Sequence, residues 1–270
     1  MRRTSVRKSK GAGRALSRAY LLEIFSGFQG EGPLVGERQI FLRFAGCNLR
    51  CRYCDTPASR NPKPVKCIVE ENPGQRDFRG VPNPLSGQVL SNRLKKLARP
   101  RLHRWLALTG GEPLLQADFL AEWLPGVLSA LGGLRIYLET NGMLAPELTR
   151  LLPFLDYVAM DIKLPSSTGQ EARWREARAF LGILHAEGKG RAACAKAVVC
   201  TETSDEEISL AAGLVQTVAP EALLVLQPVT PRGGAEPPSP HRLLQLQELA
   251  KRQHPQVRAI PQVHRLMGQR

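Results

Sequence analysis

Three cysteines, Cys47, Cys51 and Cys54, fall within eight positions of the stretch GCNLRCRYCDT, Gly46 to Thr56. Thiolates ligate soft and borderline metals, and close spacing lets one loop offer several of them to a single centre. Two centres fit the pattern. A closed tetrahedral zinc site would recruit Cys67 as its fourth ligand. An iron–sulfur cluster on three cysteines would instead keep one iron open to another ligand. Zinc sites more often pair two short Cys-x-x-Cys knuckles, whereas Cys67 stands apart in a Pro-rich stretch. The small Gly46 before the first thiol and the aromatic Tyr53 before the last also favour the open cluster. Cys194 and Cys200 flank an apolar run and read as small buried hydrophobes.

Elements must carry that loop. Short apolar runs at 38–44, 105–110, 134–142, 156–163, 195–200 and 222–229 read as strands. Helix-like stretches near 88–99, 116–131, 146–152, 170–187, 204–217 and 240–253 alternate with them. That alternation predicts right-handed crossovers and a parallel sheet. Six units are too few for a closed eight-fold barrel, so the expectation is an α/β fold: a partial, open TIM-like (β/α)6 barrel. Two segments fall outside the alternation. One is 57–87, longer than ordinary loops and rich in Pro, Gly and charge, which reads as an inserted flap. The other is the polar loop 231–241.

Polar signatures recur where the runs end: TGGEP from Thr109, ETNG from Glu139, DIKLPSS from Asp161 and QPVTP from Gln227. In barrel-like folds the site is built at the carboxyl ends of the strands. Four such ends point to one shared cavity. Taken singly each is weak, because a strand-to-helix turn with Pro113 opening the helix already explains Gly110–Gly111–Glu112. Glu139, Asn141, Asp161, Lys163 and Gln227 divide evenly between cofactor contacts and groups that satisfy loop backbone.

The net charge of +14 is unevenly spread, since residues 1–18 hold seven Lys or Arg and no acid. That stretch reads as a solvated, disordered tail, and residues 19–270 as a single domain. The body, with 31 basic and 24 acidic residues, suits an anionic small molecule. Aromatics make up only 6% of the chain, against a nucleic-acid face of interleaved bases and rings. No apolar run approaches the ~18 residues of a membrane helix, and the basic N-terminus has no apolar h-region; a cytoplasmic address is expected.

CNLRCRYC, a Cys-x3-Cys-x2-Cys pattern with an aromatic before the last cysteine, resembles the signature of the radical S-adenosylmethionine (SAM) superfamily. The resemblance implies a [4Fe–4S] cluster on Cys47, Cys51 and Cys54, whose open iron is chelated by S-adenosyl-L-methionine. It also implies that reductive cleavage of the latter yields a 5′-deoxyadenosyl radical. TGGEP falls where that superfamily keeps a Gly-Gly-Glu motif. Gly110 and Gly111 would then bring backbone to the methionine end and Glu112 would accept from its ammonium. Tyr53, Asp55, Glu139, Asn141, Asp161, Lys163 and Gln227 are the further cofactor contacts this implies.

FSGFQGEGPLVGERQIFLRFAGCNLRCRYCDT more narrowly resembles the opening of the 7-carboxy-7-deazaguanine synthase family. Residue by residue, that resemblance implies pterin contacts at Phe28, Gln29, Gly30 and Glu31. It also implies substrate contacts at Arg43 and Thr109, and a Mg2+ ligand at Thr56. The end, PQVHRLMGQR, is similar to the family's terminus, implying that His264 and the carboxylate of Arg270 reach the substrate. A bulky cation stands there where a small or apolar residue is commoner. The implied reaction converts 6-carboxy-5,6,7,8-tetrahydropterin to 7-carboxy-7-deazaguanine with loss of ammonia. An electron donor such as flavodoxin or ferredoxin and a homodimer are further implications, with no need of membrane or nucleic acid. Covers for the site are expected from 57–87 and the C-terminal segment. Two other readings remain: a radical activase of glycyl-radical enzymes, and a zinc-stabilised nucleic-acid-binding protein.

Overall fold

The structure, a computed structural model, describes residues 17–187 and 192–270. The expected disordered tail lies, as far as residue 16, outside the described residues. The chain runs through β1 (Arg18–Ala19), β2 (Leu21–Phe28), β3 (Arg38–Phe44), β4 (Lys66–Glu70), β5 (Phe78–Pro82), β6 (Leu85–Ser86) and α1 (Gly87–Leu97). Next come β7 (Trp105–Gly110), α2 (Ala117–Ala130), β8 (Arg135–Thr140), α3 (Ala145–Leu151), β9 (Tyr157–Ile162), α4 (Pro165–Thr168) and α5 (Trp174–Glu187). The last third holds β10 (Ala192–Val199), α6 (Asp205–Val218), β11 (Leu223–Pro228), α7 (Pro240–Gln253), β12 (Val257–Ala259) and α8 (Val263–Leu266).

Among the described residues ten strands make one open sheet in the order β12-β11-β10-β9-β8-β7-β3-β2-β4-β5. Every pair from β3 across to β12 is parallel. The six expected strands are thus the consecutive frame β3-β7-β8-β9-β10-β11, and the expected open α/β architecture is the observed one. Their near-continuous apolar runs have a simple cause. Parallel strands are covered on both faces, so both sets of alternating side chains are buried.

One set, including Leu42, Leu108, Leu138, Met160, Ala197 and Leu226, packs beneath the helices in the main core. Fully burying each Leu there is worth about 1.5–3 kcal/mol. The other set lies on the concave face, where Phe25, Phe41, Trp105, Ala107, Tyr137, Tyr157, Ala159 and Cys194 form a second apolar cluster. Two positions further along the same strands come Arg43, Thr109, Glu139, Asp161 and Lys196. An apolar floor therefore gives way to a charged layer at the carboxyl ends of the strands.

The segment 57–87 differs from its expected role as a flap. Its KCIVE and FRGVP runs are β4 and β5, which extend the sheet past β2. Cys67 and Val69 are buried in the main core, so β4 covers an edge of β2 that would otherwise offer unpaired backbone groups. Cys67 accordingly stands in the sheet, away from the cysteine loop. No helix of the described residues is long and apolar enough to cross a membrane.

His103 anchors the strand that leads to the site. Its Nδ1 accepts from Arg99 N–H (3.1 Å), leaving Nε2–H to donate to Ser26 Oγ on β2 (2.8 Å). Ser26 Oγ also accepts from Arg38 Nε (3.0 Å). Burial, with Arg38 and Arg99 nearby, pushes the imidazole down to about 4. The unfolded chain takes up this proton below about pH 6.5 and the folded protein only below about pH 4. Stability from the neutral ring is therefore complete above pH 6.5 and lost as pH falls towards 4. Chemical-denaturant midpoints measured from pH 7 to 4 should fall more steeply for the wild type than for His103→Gln, and parallel curves would contradict this account.

Candidate functional site

One cavity opens at the carboxyl ends of the parallel strands, floored by Phe41, Tyr137 and Ala159. Its wall on one side is the cysteine loop after β3. Cys47, Cys51 and Cys54 line it as free thiols, together with Tyr53 and Asp55. Opposite stand Phe28, Gln29, Gly30 and Glu31 from the turn between β2 and β3, and His264 and Arg270 from the chain end. Arg43, Thr109, Gly110, Gly111, Glu139, Asn141, Asp161, Lys163 and Gln227 complete the strand-end ring. Two expected residues lie outside the lining. Thr56 stands just behind it, donating to Asp55 Oδ1 (2.9 Å), with Arg43 Nη1 3.5 Å from its hydroxyl.

Glu112, expected at a cofactor ammonium, is instead wholly buried beneath the wall. Its carboxylate accepts from Leu114 N–H (3.0 Å), the Thr140 hydroxyl (2.9 Å) and Asn141 N–H (2.7 Å). Burial raises its pKa to about 7, against the pull of those donors. Its own N–H donates to Gly46 O (2.8 Å) and Gly111 N–H to Phe44 O (3.0 Å). Asn141 Nδ2 donates to Asn48 Oδ1 (2.7 Å). The Gly-Gly-Glu turn thus clamps the carboxyl ends of β3 and β8 to the start of the cysteine loop. Gly111 is required by that approach, since a Cβ there would fall 2.0 Å from Gly46 O.

The substrate-side turn is held as firmly. Gly30 O accepts from Val263 N–H (2.8 Å), and a Cβ on Gly30 would lie 1.9 Å from His264 Nδ1. Gln29 Nε2 donates to Glu139 Oε1 (2.6 Å), whose second oxygen accepts from the Thr109 hydroxyl. Gln262 Nε2 donates to Glu31 Oε1 (2.6 Å). The Glu23 carboxylate bridges Arg43 Nε (2.9 Å) and Arg270 Nη1, and the Arg270 guanidinium lies 4.2 Å over the Phe78 ring. The C-terminal segment is therefore the cover on this side. From 57–87 only Ser59 reaches the cavity, because that stretch is spent on the sheet edge.

Lys196 and Gln262 are lining residues that sequence reasoning passed over. A signal existed for the first: in AKAVVC a lysine shares period-two spacing with Cys194 and Val198, so a strand buried on both faces carries an inward charge. Gln262 sits in an irregular stretch with no motif.

The donor set suits an iron–sulfur cluster and its ligand. Two N–H groups already point at sulfur, Leu49 N–H at Cys47 (3.4 Å) and Gln170 Nε2 at Cys51 (3.6 Å). Such hydrogen bonds tune cluster thiolates. Cys67, buried in β4 within the main core, stands away from these thiols, which disfavours the zinc arrangement. Gln227 is 2% exposed, and its Oε1 faces the cavity without a protein partner. A buried carbonyl in that position is an acceptor for a bound ligand's N–H.

These features agree with the comparisons. A model of the radical SAM superfamily matches residues 42–209, which makes the chain a radical SAM protein. The 7-carboxy-7-deazaguanine synthase of Geobacter sulfurreducens is 44% identical over 253 residues, covering 93% of this chain and 98% of that protein. The enzyme of the same name from Methanothermobacter thermautotrophicus is 35% identical, with 94% and 99% covered. The chain belongs to the 7-carboxy-7-deazaguanine synthase family. The crystal structure of QueE from Escherichia coli shares the fold, with a TM-score of 0.57 at 18% identity over 92% of this chain and 95% of that one.

The clamp yields a test. Gly111→Ala forces backbone apart and should cost about 1–3 kcal/mol while lowering iron retained after anaerobic reconstitution. Gly213→Ala, in α6 with nothing within 4 Å of the added methyl, should stabilise by about 1 kcal/mol. Thermal melts and iron assays read both, and equal behaviour of the two variants would refute the clamp.

Proposed function

We propose that the chain is a carbon–nitrogen lyase that converts 6-carboxy-5,6,7,8-tetrahydropterin to 7-carboxy-7-deazaguanine and ammonia, in the route to queuosine and other 7-deazapurines. One observation carries the reading: the cysteine loop and the Gln29–Glu31 turn face each other across a single cavity. Family membership implies the [4Fe–4S] cluster and S-adenosyl-L-methionine. Cys47, Cys51 and Cys54 are the residues that would hold the cluster, and Tyr53, Gly110, Gly111, Asn141, Asp161, Lys163 and Gln227 face the space beside it. When bound, these groups supply the radical that abstracts and returns hydrogen at the pterin.

The chain's own residues do the rest. A bicyclic amide-rich ring offers both donors and acceptors along one edge, which Gln29, Glu31 and loop backbone complement. Its carboxylate calls for positive charge. Arg43 supplies a fork of donors matched to it, and Thr56, with the neighbouring Asp55, offers oxygen ligands to a Mg2+ at the same end. Glu139 stands between Gln29 and Thr109 and keeps both aimed inward. His264 and the segment around it exclude water, which a carbon radical requires. A flavodoxin- or ferredoxin-type donor, a homodimer and a cytoplasmic site of action complete the proposal.

The test is anaerobic reconstitution followed by incubation with S-adenosyl-L-methionine, a reductant, Mg2+ and the carboxypterin. About four irons per chain and a deazaguanine product are expected. Arg43→Ala should raise KM at least about tenfold, as loss of a charge-assisted contact does. Deoxyadenosine accumulating with no turnover of the pterin would overturn the substrate assignment, and zinc without iron would overturn the whole reading.

A further inference from the structure

The charged layer of the cavity contains more carboxylates than a buried site tolerates without countercharge. Glu31, Glu139 and Asp161 all line it, and one side chain stands among them. Lys196, half-way along β10, has a side chain only 15% exposed. Its ammonium pairs with Glu31 Oε2 from the substrate-side turn and with Asp161 Oδ1 (3.2 Å) at the end of β9. The other Asp161 oxygen accepts from Lys163, which also donates to the Tyr53 hydroxyl (3.1 Å) in the cysteine loop. Strand register fixes this meeting: Lys196 is paired with Asp161 across β9 and β10, so both side chains leave the same face at the same level.

Lys196 leaves Glu31 little freedom. Oε2 is held by the ammonium and Oε1 by Gln262, which aims the carboxylate plane and leaves its remaining lone pairs to the cavity. We infer that Lys196 is the positioning residue of the substrate site: it fixes Glu31 as an oriented, ionised acceptor for the N–H edge of the pterin, without touching the reacting atoms. This rests on the proposed reaction for the identity of the ligand, but its electrostatic half does not.

The surroundings of Glu31 define what the lysine opposes. Asp55 of the cysteine loop and Glu139 of β8 stand near as like charges, and Tyr137 lies on the floor. His264 of α8 faces it as well. Burial pushes the Glu31 carboxyl up and Asp55 adds to it, but the Lys196 ammonium together with the Gln262 hydrogen bond outweighs them, so the net shift is downward. Burial likewise disfavours the Lys196 charge, but Asp161 and then Glu31 hold it protonated. Removal of the ammonium therefore leaves burial and Asp55 raising the Glu31 pKa, opposed only by the hydrogen bond from Gln262. A carboxyl so raised is lost as an acceptor when pH falls through its new value.

Two measurements on full-length protein separate the parts. In infrared pH titrations without ligand, every variant should show the band of the Glu112 carboxyl near pH 7, and Lys196→Met should develop a second protonated-carboxyl band on acidification through neutrality. Lys196→Met/Glu31→Gln should lack that second band, and neither wild type nor Lys196→Arg should show it in that range. In calorimetric titrations of reconstituted enzyme with the carboxypterin, no reductant present, Lys196→Met should bind about tenfold more weakly at pH 7 and recover at pH 9. Lys196→Arg should bind as wild type does. Lys196→Gln serves the same comparison if the Met variant does not fold. Unchanged titration of Glu31 in both neutral variants, or weakening that pH does not relieve, overturns the inference. Failure of the wild type itself to bind the carboxypterin, with the infrared result intact, would instead overturn the proposed function and leave Lys196 as the keeper of Glu31.

Discussion

The buried carboxylate of Glu112 is the constraint on which the rest of the site depends. It accepts three hydrogen bonds, one from Leu114 in its own turn and two from Thr140 and Asn141 at the end of β8. The N–H groups of Gly111 and Glu112 donate to Phe44 at the end of β3 and Gly46 at the start of the cysteine loop. A carboxylate without those donors could not remain so deep in the protein; with them, it fixes the ends of β7 and β8 relative to the end of β3. The cysteine loop has no regular secondary structure of its own. Its shape is borrowed from this clamp, from Gly46 N–H donating to Ser59 O (2.7 Å), and from Arg52, whose guanidinium donates to the carbonyls of Ser166 (2.6 Å) and Ser167 (3.1 Å). Three thiols can be presented to one centre because the loop between them is held from both sides.

The same economy governs the opposite wall. The open sheet puts an apolar layer at the bottom of its concave face and a charged layer at the mouth, and each charge in that layer has a partner. Glu23 bridges Arg43 and Arg270, Asp161 bridges Lys163 and Lys196, and Glu139 takes Gln29 and Thr109. Pairs of this kind add little to stability, since desolvation offsets most of their attraction. What they provide is orientation: donors and acceptors whose positions are set before a ligand arrives cost nothing to organise on binding.

Much of this could be read from the sequence, and the exceptions have physical causes. The six frame strands were legible because two-sided burial makes them apolar throughout, and the main helices because one buried face imposes its period. β2, with Ser26 and Gly27 near its end, and the short strands β4 and β5, of which β5 forms the sheet edge, carry no such signal. Edge strands are brief and charged for good reason, so the Pro-rich segment disguised a sheet extension as a flap. Spacing brought Cys47, Cys51 and Cys54 together, and the family resemblance added Gln29, Glu31 and Arg43 to the same cavity. Neither could tell a residue that lines a wall from one that holds the wall up, as buried Glu112 does. Lys196 was hidden for the opposite reason. Its strand was recognised as a strand, and one charge inside an apolar run was read past.

That lysine explains why a strand otherwise free to be apolar is not. An apolar residue at position 196 would share the strand face of Cys194 and Val198, yet it would leave Glu31 and Asp161 without the countercharge they share. A water could not replace the ammonium there, because it carries no charge to offset two carboxylates. The inward lysine therefore belongs to the chemistry of the cavity rather than to the core. It joins the turn that meets the substrate to the strand end whose Asp161 and Lys163 lead to the cysteine loop. The two halves of the site are organised by one buried charge, and the spacing between them is set by the register of β9 against β10.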